Sequence, residues 1–366
     1  MYRTLLTLLA ALAVTALAGC ADLRYYWQSV HGHVQLMQAA APLDDWLARP
    51  DLAAPLRARL QLAQRARAFA VAELGLPDSA SYQRYADLPR AAAVWNVVAA
   101  PPYALTPHTW CFIVAGCIAY RGYFAQADAQ AEAAQLAAQG LEVNVYGVPA
   151  YSTLGYLNWA GGDPLLSTFI GWPEGEFVRL LFHELAHQVV YVPDDTAFNE
   201  SFATAVERLG SARWLATQST PQARQAFAAS QERRQAWQKL TRTTRAQLAA
   251  LYESNQAQVL APKALAAMKN DIMQDFRAQY AVLRSHWQTP TAQLAHYDRW
   301  VAEANNASFA AQAAYDDGVP AFMALFEQQG GDWLRFYAAV RQLARLPAPQ
   351  RQQALKNLTP ETTPHA

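Results

Sequence analysis

The stretch from Phe182 to Ala203, FHELAHQVVYVPDDTAFNESFA, constrains this chain more than any other. His183 and His187 are four residues apart, so on a helix both imidazoles leave one face a turn apart and can hold a single ion. Glu184, beside the first histidine, would face water on that ion. Leu180, Leu181, Leu185 and Val189 follow a helical apolar period, and neither Gly nor Pro interrupts residues 176 to 192, so the pattern predicts one helix over that whole span. Pro193, Asp194 and Asp195 then stop it. A second helix is predicted from near Phe198, carrying Asn199, Glu200, Phe202, Ala203, Val206 and Glu207. A catalytic zinc takes three protein ligands and leaves one position to water, so two histidines are one short. Glu200, in the first turn of the second helix, is the expected third ligand, with Glu207 two turns further on as its rival.

HELAHQ followed by NESFA resembles the gluzincin metallopeptidases, both the thermolysin type and the alanyl-aminopeptidase type, in which an Asn-Glu pair opens the second helix and its Glu binds zinc. Carried over residue by residue, the resemblance makes His183, His187 and Glu200 the ligands of one Zn²⁺ and Glu184 the general base. Asn199 and Glu207 then stand behind the ligands, Glu207 as a partner that orients a ligand imidazole. Twelve residues separate His187 from Glu200, fewer than in either of those families, so the connecting loop must be tighter here.

The first twenty residues form a separate unit. Arg3 gives a short positive start, Leu5 to Leu17 an apolar run, and Leu17-Ala18-Gly19-Cys20 a lipobox, so the segment resembles a bacterial lipoprotein signal. The run is too short for a spanning helix. Cleavage before Cys20 and acylation of that cysteine are expected, and Ala21 in place of Asp implies release to the outer membrane, with the protein on its periplasmic face. In that oxidising compartment Cys111 and Cys117, the only other cysteines, are expected to form a disulfide, with free buried thiols as the alternative. The chain has 29 basic and 29 acidic side chains and no long basic run, which argues against nucleic acid as a partner.

Along the mature chain, Leu23 to Trp46 reads as an amphipathic helix and Leu56 to Leu74 as a second, closed by Gly75 and Pro77. Val94 to Val98 and Thr109 to Val114 read as neighbouring strands, Phe124 to Ala138 as a helix and Glu142 to Tyr146 as a strand. Tyr151, Ser152 and Gly155 sit in a small, hydroxyl-rich stretch before the metal helix, where gluzincins pair an edge strand with an extended peptide. Beyond Gly210 the periodicity is helical almost throughout, with long polar helices over Gln222–Tyr252 and Pro262–Trp287.

The lipobox, the Cys111 region through Tyr120-Arg121-Gly122-Tyr123, the stretch from Ala150 to Gly155, HELAHQ, NESFA, and Asn305-Asn306-Ala307 with Tyr315 together resemble a family of bacterial lipoprotein-type proteins described as predicted aminopeptidases. The resemblance covers most of the mature chain. It implies an α+β, predominantly helical fold: a gluzincin-like core with a small sheet and long covering helices. The expected division is a signal peptide over 1–19, a helical segment over 20–90, an α/β segment with the edge strand over 91–175, the zinc helix pair over 176–210 and a helical region over 211–366. Asn305 and Asn306 join Tyr151, Ser152, Gly155 and Asp163 as candidate contacts to a peptide substrate. Tyr315, with His296 behind it, is the candidate donor to the oxyanion. An aminopeptidase must also hold the substrate's ammonium, for which Asp163, Asp194 and Asp195 are the candidates. Two other readings are a lipoprotein that keeps the metal as a staple and a hydrolase for cell-wall amides. A staple needs no base, so Glu184 speaks against the first.

Overall fold

The structure is a computed structural model, and it describes residues 23–112, 116–155, 158–254, 262–312 and 318–358. Helix α1 covers residues 23–39. Strand β1 (Ala41–Pro42), α2 (Leu43–Ala48), α3 (Ala54–Leu74) and β2 (Arg84–Ala86) follow. The middle of the chain holds β3 (Val94–Ala100), β4 (Trp110–Phe112), β5 (Gly116–Ile118), β6 (Arg121–Tyr123), α4 (Gln126–Ala138) and β7 (Glu142–Val148). After β8 (Leu165–Leu166) and α5 (Ser167–Ile170) the described chain is helical: α6 (Glu174–Ala186), α7 (Thr196–Gln218), α8 (Pro221–Glu253), α9 (Pro262–His286), α10 (Thr291–Glu303), α11 (Asn306–Gln312), α12 (Val319–Gln328), α13 (Trp333–Ala344) and α14 (Ala348–Leu358). A mostly helical α+β fold with small sheets is therefore present.

Strand β3 lies between β6 and β7, antiparallel to both. Its side chains alternate between two buried faces, as a strand's period of two requires. Val97 and Ala99 pack on α4 with Tyr123, Ala129 and Leu136, while Val98 and Ala100 pack on α11 with Ala307 and Ala310. Both faces being covered, the strand reads as a continuous apolar run. The expectation that residues 109–114 lie beside β3 is corrected: β4 pairs with β5 instead, Cys111 opposite Cys117, and these two form a disulfide. β7 lines one edge of β3 and β6 the Trp95–Val97 part of the other; His108 N–H still donates to Ala99 C=O at 2.8 Å, but the chain then leaves β3 and turns back on itself as β4 and β5.

The main core forms between α6 and α7, which pack on each other and on α3. Phe177, Leu181, Phe182 and Leu185 of α6 are buried against Phe198, Phe202 and Val206 of α7. Gly210 makes this approach possible, because a Cβ there would stand 2.7 Å from Leu74 Cδ1 and 3.1 Å from Phe182 Cδ2. A second core, Trp237, Phe276, Tyr280, Val301 and Phe309, holds α8, α9 and α10 together. The long polar helices thus form a hairpin with its own apolar seam. Their link to the rest is partly ionic: Lys269 of α9 bonds Glu142 and donates to the Pro102 carbonyl at 2.9 Å.

Candidate metal centre

Helix α6 ends earlier than its apolar period predicts, at Ala186 rather than residue 192. His187 caps it and keeps helical dihedrals, φ −58° and ψ −22°. The reason for the early stop lies twelve residues on. Asn199 accepts from Val192 N–H and donates to Val192 C=O, both at 2.8 Å. One buried amide therefore claims both polar groups of a residue that the helix would otherwise use. Asp195 caps α7 by accepting from Phe198 N–H at 3.1 Å. The Asn of the NESFA stretch thus fixes the turn that brings its neighbour Glu200 back to the histidines.

His183 Nε2 is 3.2 Å from both His187 Nε2 and Glu200 Oε2, and His187 Nε2 is 3.8 Å from Glu200 Oε2. Ligands placed roughly 2.1 Å from a tetrahedral zinc stand about 3.4 Å from one another, so this triangle has the size such an ion requires. On its other side the His183 ring donates Nδ1–H to Glu207 Oε2 at 3.0 Å, which leaves the Nε2 lone pair for a metal. Burial opposes a charge on His183, yet the bonds and charges of Glu200 and Glu207 outweigh it and raise its pKa well above the ordinary value. The pocket is thus built to hold positive charge at Nε2, which is what a cation there needs. Burial lowers His187 to about 4, keeping that imidazole neutral and fit to ligate.

The Glu184 carboxyl is near enough to His183, Glu200 and Asp163 to feel their charges. Burial raises it to about 7, His183 acts against this, and the charges of Glu200 and Asp163 add to it. Ser152 supplies a hydrogen bond to this carboxyl. A carboxyl poised near neutrality can take a proton and give it back.

A line of ion pairs runs outward from His183. Burial, the largest influence, would raise Glu207, but Arg179 and His183 together outweigh it and hold the carboxyl at about 2. Arg179 donates to Glu207 Oε1 through Nε at 3.0 Å and also through Nη2. Its Nη1 lies 3.3 Å from Glu176 Oε2, and Glu176 Oε1 in turn accepts from Arg234 Nη2 at 2.6 Å and Ser230 Oγ at 2.7 Å. The line ends on α8, so the helical hairpin is tied to the metal helix. Gly175 lets the two helices approach here, since a Cβ would stand 2.3 Å from Phe227 Cδ2.

The remaining expected residues divide clearly. Ser152 and Asp163 border Glu184. No edge strand forms at Tyr151–Gly155: Leu154 (φ 55°) and Gly155 (φ 80°) turn the chain, and Thr153 N–H donates to both Asp163 carboxylate oxygens at 3.0 Å. Gly155 is needed in that turn, because a Cβ would lie 3.1 Å from Asn158 Nδ2 and 3.2 Å from Gln188 Cγ, next to His187. Tyr151 contacts His33, its hydroxyl 3.2 Å from the ring Nδ1.

The three carboxylates expected to anchor an ammonium are each engaged elsewhere. Asp163 is buried against Thr153, Asp194 accepts from Cys117 N–H at 2.6 Å, and Asp195 pairs with Arg351. Asn305 and Asn306 make their bonds to the scaffold. Asn305 donates to the Val143 carbonyl, and Asn306, fully buried, donates to the carbonyls of Pro101, Pro102 and Ala104 while accepting from Tyr252. Their amides pin the 101–104 turn and β7 against α11. His296 sits on α10 beside Tyr297, near Arg234 and Glu176, and is not part of the ligand cluster. Cys20 and Tyr315 lie outside the described residues.

Two residues near the centre escaped the sequence reading. Arg179 had a signal, since it is four residues before His183 on the same helical face. Tyr120, just after the disulfide hairpin, was marked only as part of the Tyr120–Tyr123 stretch of the family resemblance, without a role at the centre. Its hydroxyl is raised by burial first, then by the charges of Glu200 and, more weakly, Glu184, so it lies close to both. Backbone strain also gathers here. Among the described residues the non-glycine positions with positive φ are Tyr82, Leu154 and Asp194, of which Tyr82 feels the charge of Glu184 and Asp194 lies in the loop between the two helices. Gly116 allows the hairpin to sit on Asp194, because a Cβ there would be 2.4 Å from Asp194 Oδ1.

Among known proteins, no curated sequence and no solved structure matches the chain. A family profile does: the one described as "Putative aminopeptidase" matches residues 24–355, most of the chain, with His183, Glu184, His187 and Glu200 inside the match. The chain belongs to that aminopeptidase family.

Proposed function

We propose that this chain is a zinc-dependent peptidase of the bacterial cell envelope, held at the periplasmic face of the outer membrane through acylated Cys20 and acting on the amino ends of peptides. The observation that carries the reading is the convergence of His183 Nε2, His187 Nε2 and Glu200 Oε2 on one point, with the Glu184 carboxyl beside it at about 7. Zn²⁺, when bound, supplies Lewis acidity toward the scissile carbonyl and the attacking water. Glu184 takes the proton from that water and returns it to the leaving amine. Glu207 keeps the His183 ring turned toward the ion, and Arg179 keeps Glu207 charged. For the oxyanion, Tyr120 stands as a second candidate beside Tyr315, being buried close to Glu200 and Glu184.

The test is Glu184→Gln. The variant is expected to bind zinc with unchanged stoichiometry and to lose hydrolysis of short peptides. Wild-type turnover by that variant would refute the mechanism. Action at the amino end rests on the family, since Asp163, Asp194 and Asp195 are engaged within the chain. Acetylating the amino terminus of a cleaved peptide should abolish its hydrolysis, and equal cleavage of both forms would identify an endopeptidase.

A further inference from the structure

Helix α1 is apolar on two opposite faces, and only one of them is covered. On the inner face Tyr25 packs edge-on against Tyr123 at 5.5 Å, Gln28 accepts from Phe124 N–H at 3.1 Å, and Leu36 is buried. Gly32 sits so close to Phe124 that a Cβ would stand 2.2 Å from its ring. These contacts fix the helix to the body in one orientation. The outer face carries Leu23, Tyr26, Trp27, Val30 and Val34, spaced at i, i+3, i+4, i+7 and i+11. Leu23 is 71 % exposed, Trp27 69 % and Val30 60 %. Ten large apolar side chains are exposed among the described residues, and five of them are these. A soluble surface scatters such residues, whereas a continuous stripe of them marks a contact.

We propose that this stripe lies on the lipid bilayer as an interfacial helix, setting the orientation of the protein on the membrane. The proposal rests on the reading of Cys20 as the acylated residue. Only two residues separate Cys20 from Leu23, and a fully extended chain spans roughly 3.5 Å per residue, so the start of the helix is held within about 10 Å of the acyl chains. A helix tethered that closely must meet the surface with the face that the body leaves open. That face is rich in Trp and Tyr, which favour the headgroup level. Residues 23–39 contain no Asp or Glu that an anionic surface would repel. No described helix is long and apolar enough to cross a membrane, so α1 would lie in the interface plane.

The full-length protein, purified from membranes and reconstituted into phosphatidylcholine vesicles, tests this with acyl chains brominated near the headgroup as the fluorescence quencher. Trp27 is one of 11 tryptophans, so quenching of about one eleventh of the emission is expected, and Trp27→Phe should remove it. Because the side chain is exposed, the variant should melt with the wild type. Equal quenching of wild type and variant would overturn the proposal. A shift from dimer to monomer caused by Trp27→Phe in sedimentation of the detergent-solubilised protein would overturn it in favour of a second copy of the chain. The mass of the amino-terminal peptide reports acylation at Cys20 separately, so failure of the anchor and failure of the helix contact are distinguishable.

Discussion

Arg179 offers the sharpest quantitative test of the centre. Its side chain is 13 % exposed and that of Glu207 is 9 %. Arg179→Met keeps most of the apolar stem and removes the guanidinium, leaving a buried carboxylate whose remaining partner is His183 Nδ1. Breaking a buried pair from one side costs about 3–5 kcal/mol. The titration of Glu207 has the same sign: Arg179 and His183 together hold it at about 2 against the effect of burial. The loss should therefore be about 3 kcal/mol in urea unfolding at pH 7. Zinc affinity should fall about 10–100-fold, as for other partners that orient a ligand histidine. The exposed pair Arg213–Glu73, 49 % and 46 % exposed, is the internal control, and Arg213→Met should cost under about 1 kcal/mol. The acid limb gives an independent check. A carboxyl whose folded pKa is depressed stabilises the fold fully above its unfolded value and loses that contribution as pH falls through the folded value. Wild-type stability should thus decline from about pH 4.5 toward 2, and Arg179→Met should narrow that window by raising the folded value. If Arg179→Met unfolds within 1 kcal/mol of wild type and binds zinc as tightly, the ion-pair line has no role in holding the ligand.

Three further outcomes follow from the same geometry. Glu200→Ala should weaken zinc binding far more than Glu207→Ala in a competition titration, since the first removes a ligand atom and the second an orienting partner worth about 10–100-fold; the reverse order would move the third ligand to Glu207. Opening the Cys111–Cys117 bridge by Cys111→Ser with Cys117→Ser should cost roughly 2 kcal/mol for a loop this short, and its effect on peptidase activity, read at fixed zinc, reports how far the hairpin steadies Asp194. Asn199→Ala should lower stability by roughly 2 kcal/mol, because Val192 N–H is left buried without its partner while its C=O keeps only Asp195 N–H.

The centre was far more legible in the sequence than the scaffold that carries it, for a physical reason. His183, Glu184, His187 and Glu200 are placed by two helices and one turn, so their relation is written in local spacing. Even the tight loop was readable from the short separation of His187 and Glu200, although its clasp, Asn199 on Val192, was not. Other pieces depend on distant pairing. Residues 109–114 have the composition of a strand, and nothing local says that β4 pairs with β5 rather than with β3. Asn305 and Asn306 have the composition of a polar cleft, and only the three-dimensional arrangement shows their amides spent on Val143 and on the 101–104 turn.

The same contrast explains why the loop between the ligand helices needs outside support. The nine residues 187–195 must leave α6, reverse and enter α7 with Asp194 at φ 64°, a conformation a non-glycine residue adopts only when its surroundings hold it there. Three contacts do so from three directions: Asn199 from within α7, Arg351 of α14 through Asp195, and Cys117 of the disulfide hairpin through Asp194. Two of the three come from segments far away in the sequence, one before and one after the motif. The hairpin that braces Asp194 also leads directly into Tyr120, which lies close to Glu200 and Glu184. One short cross-linked element therefore braces Asp194 in the loop between the two helices and leads into Tyr120.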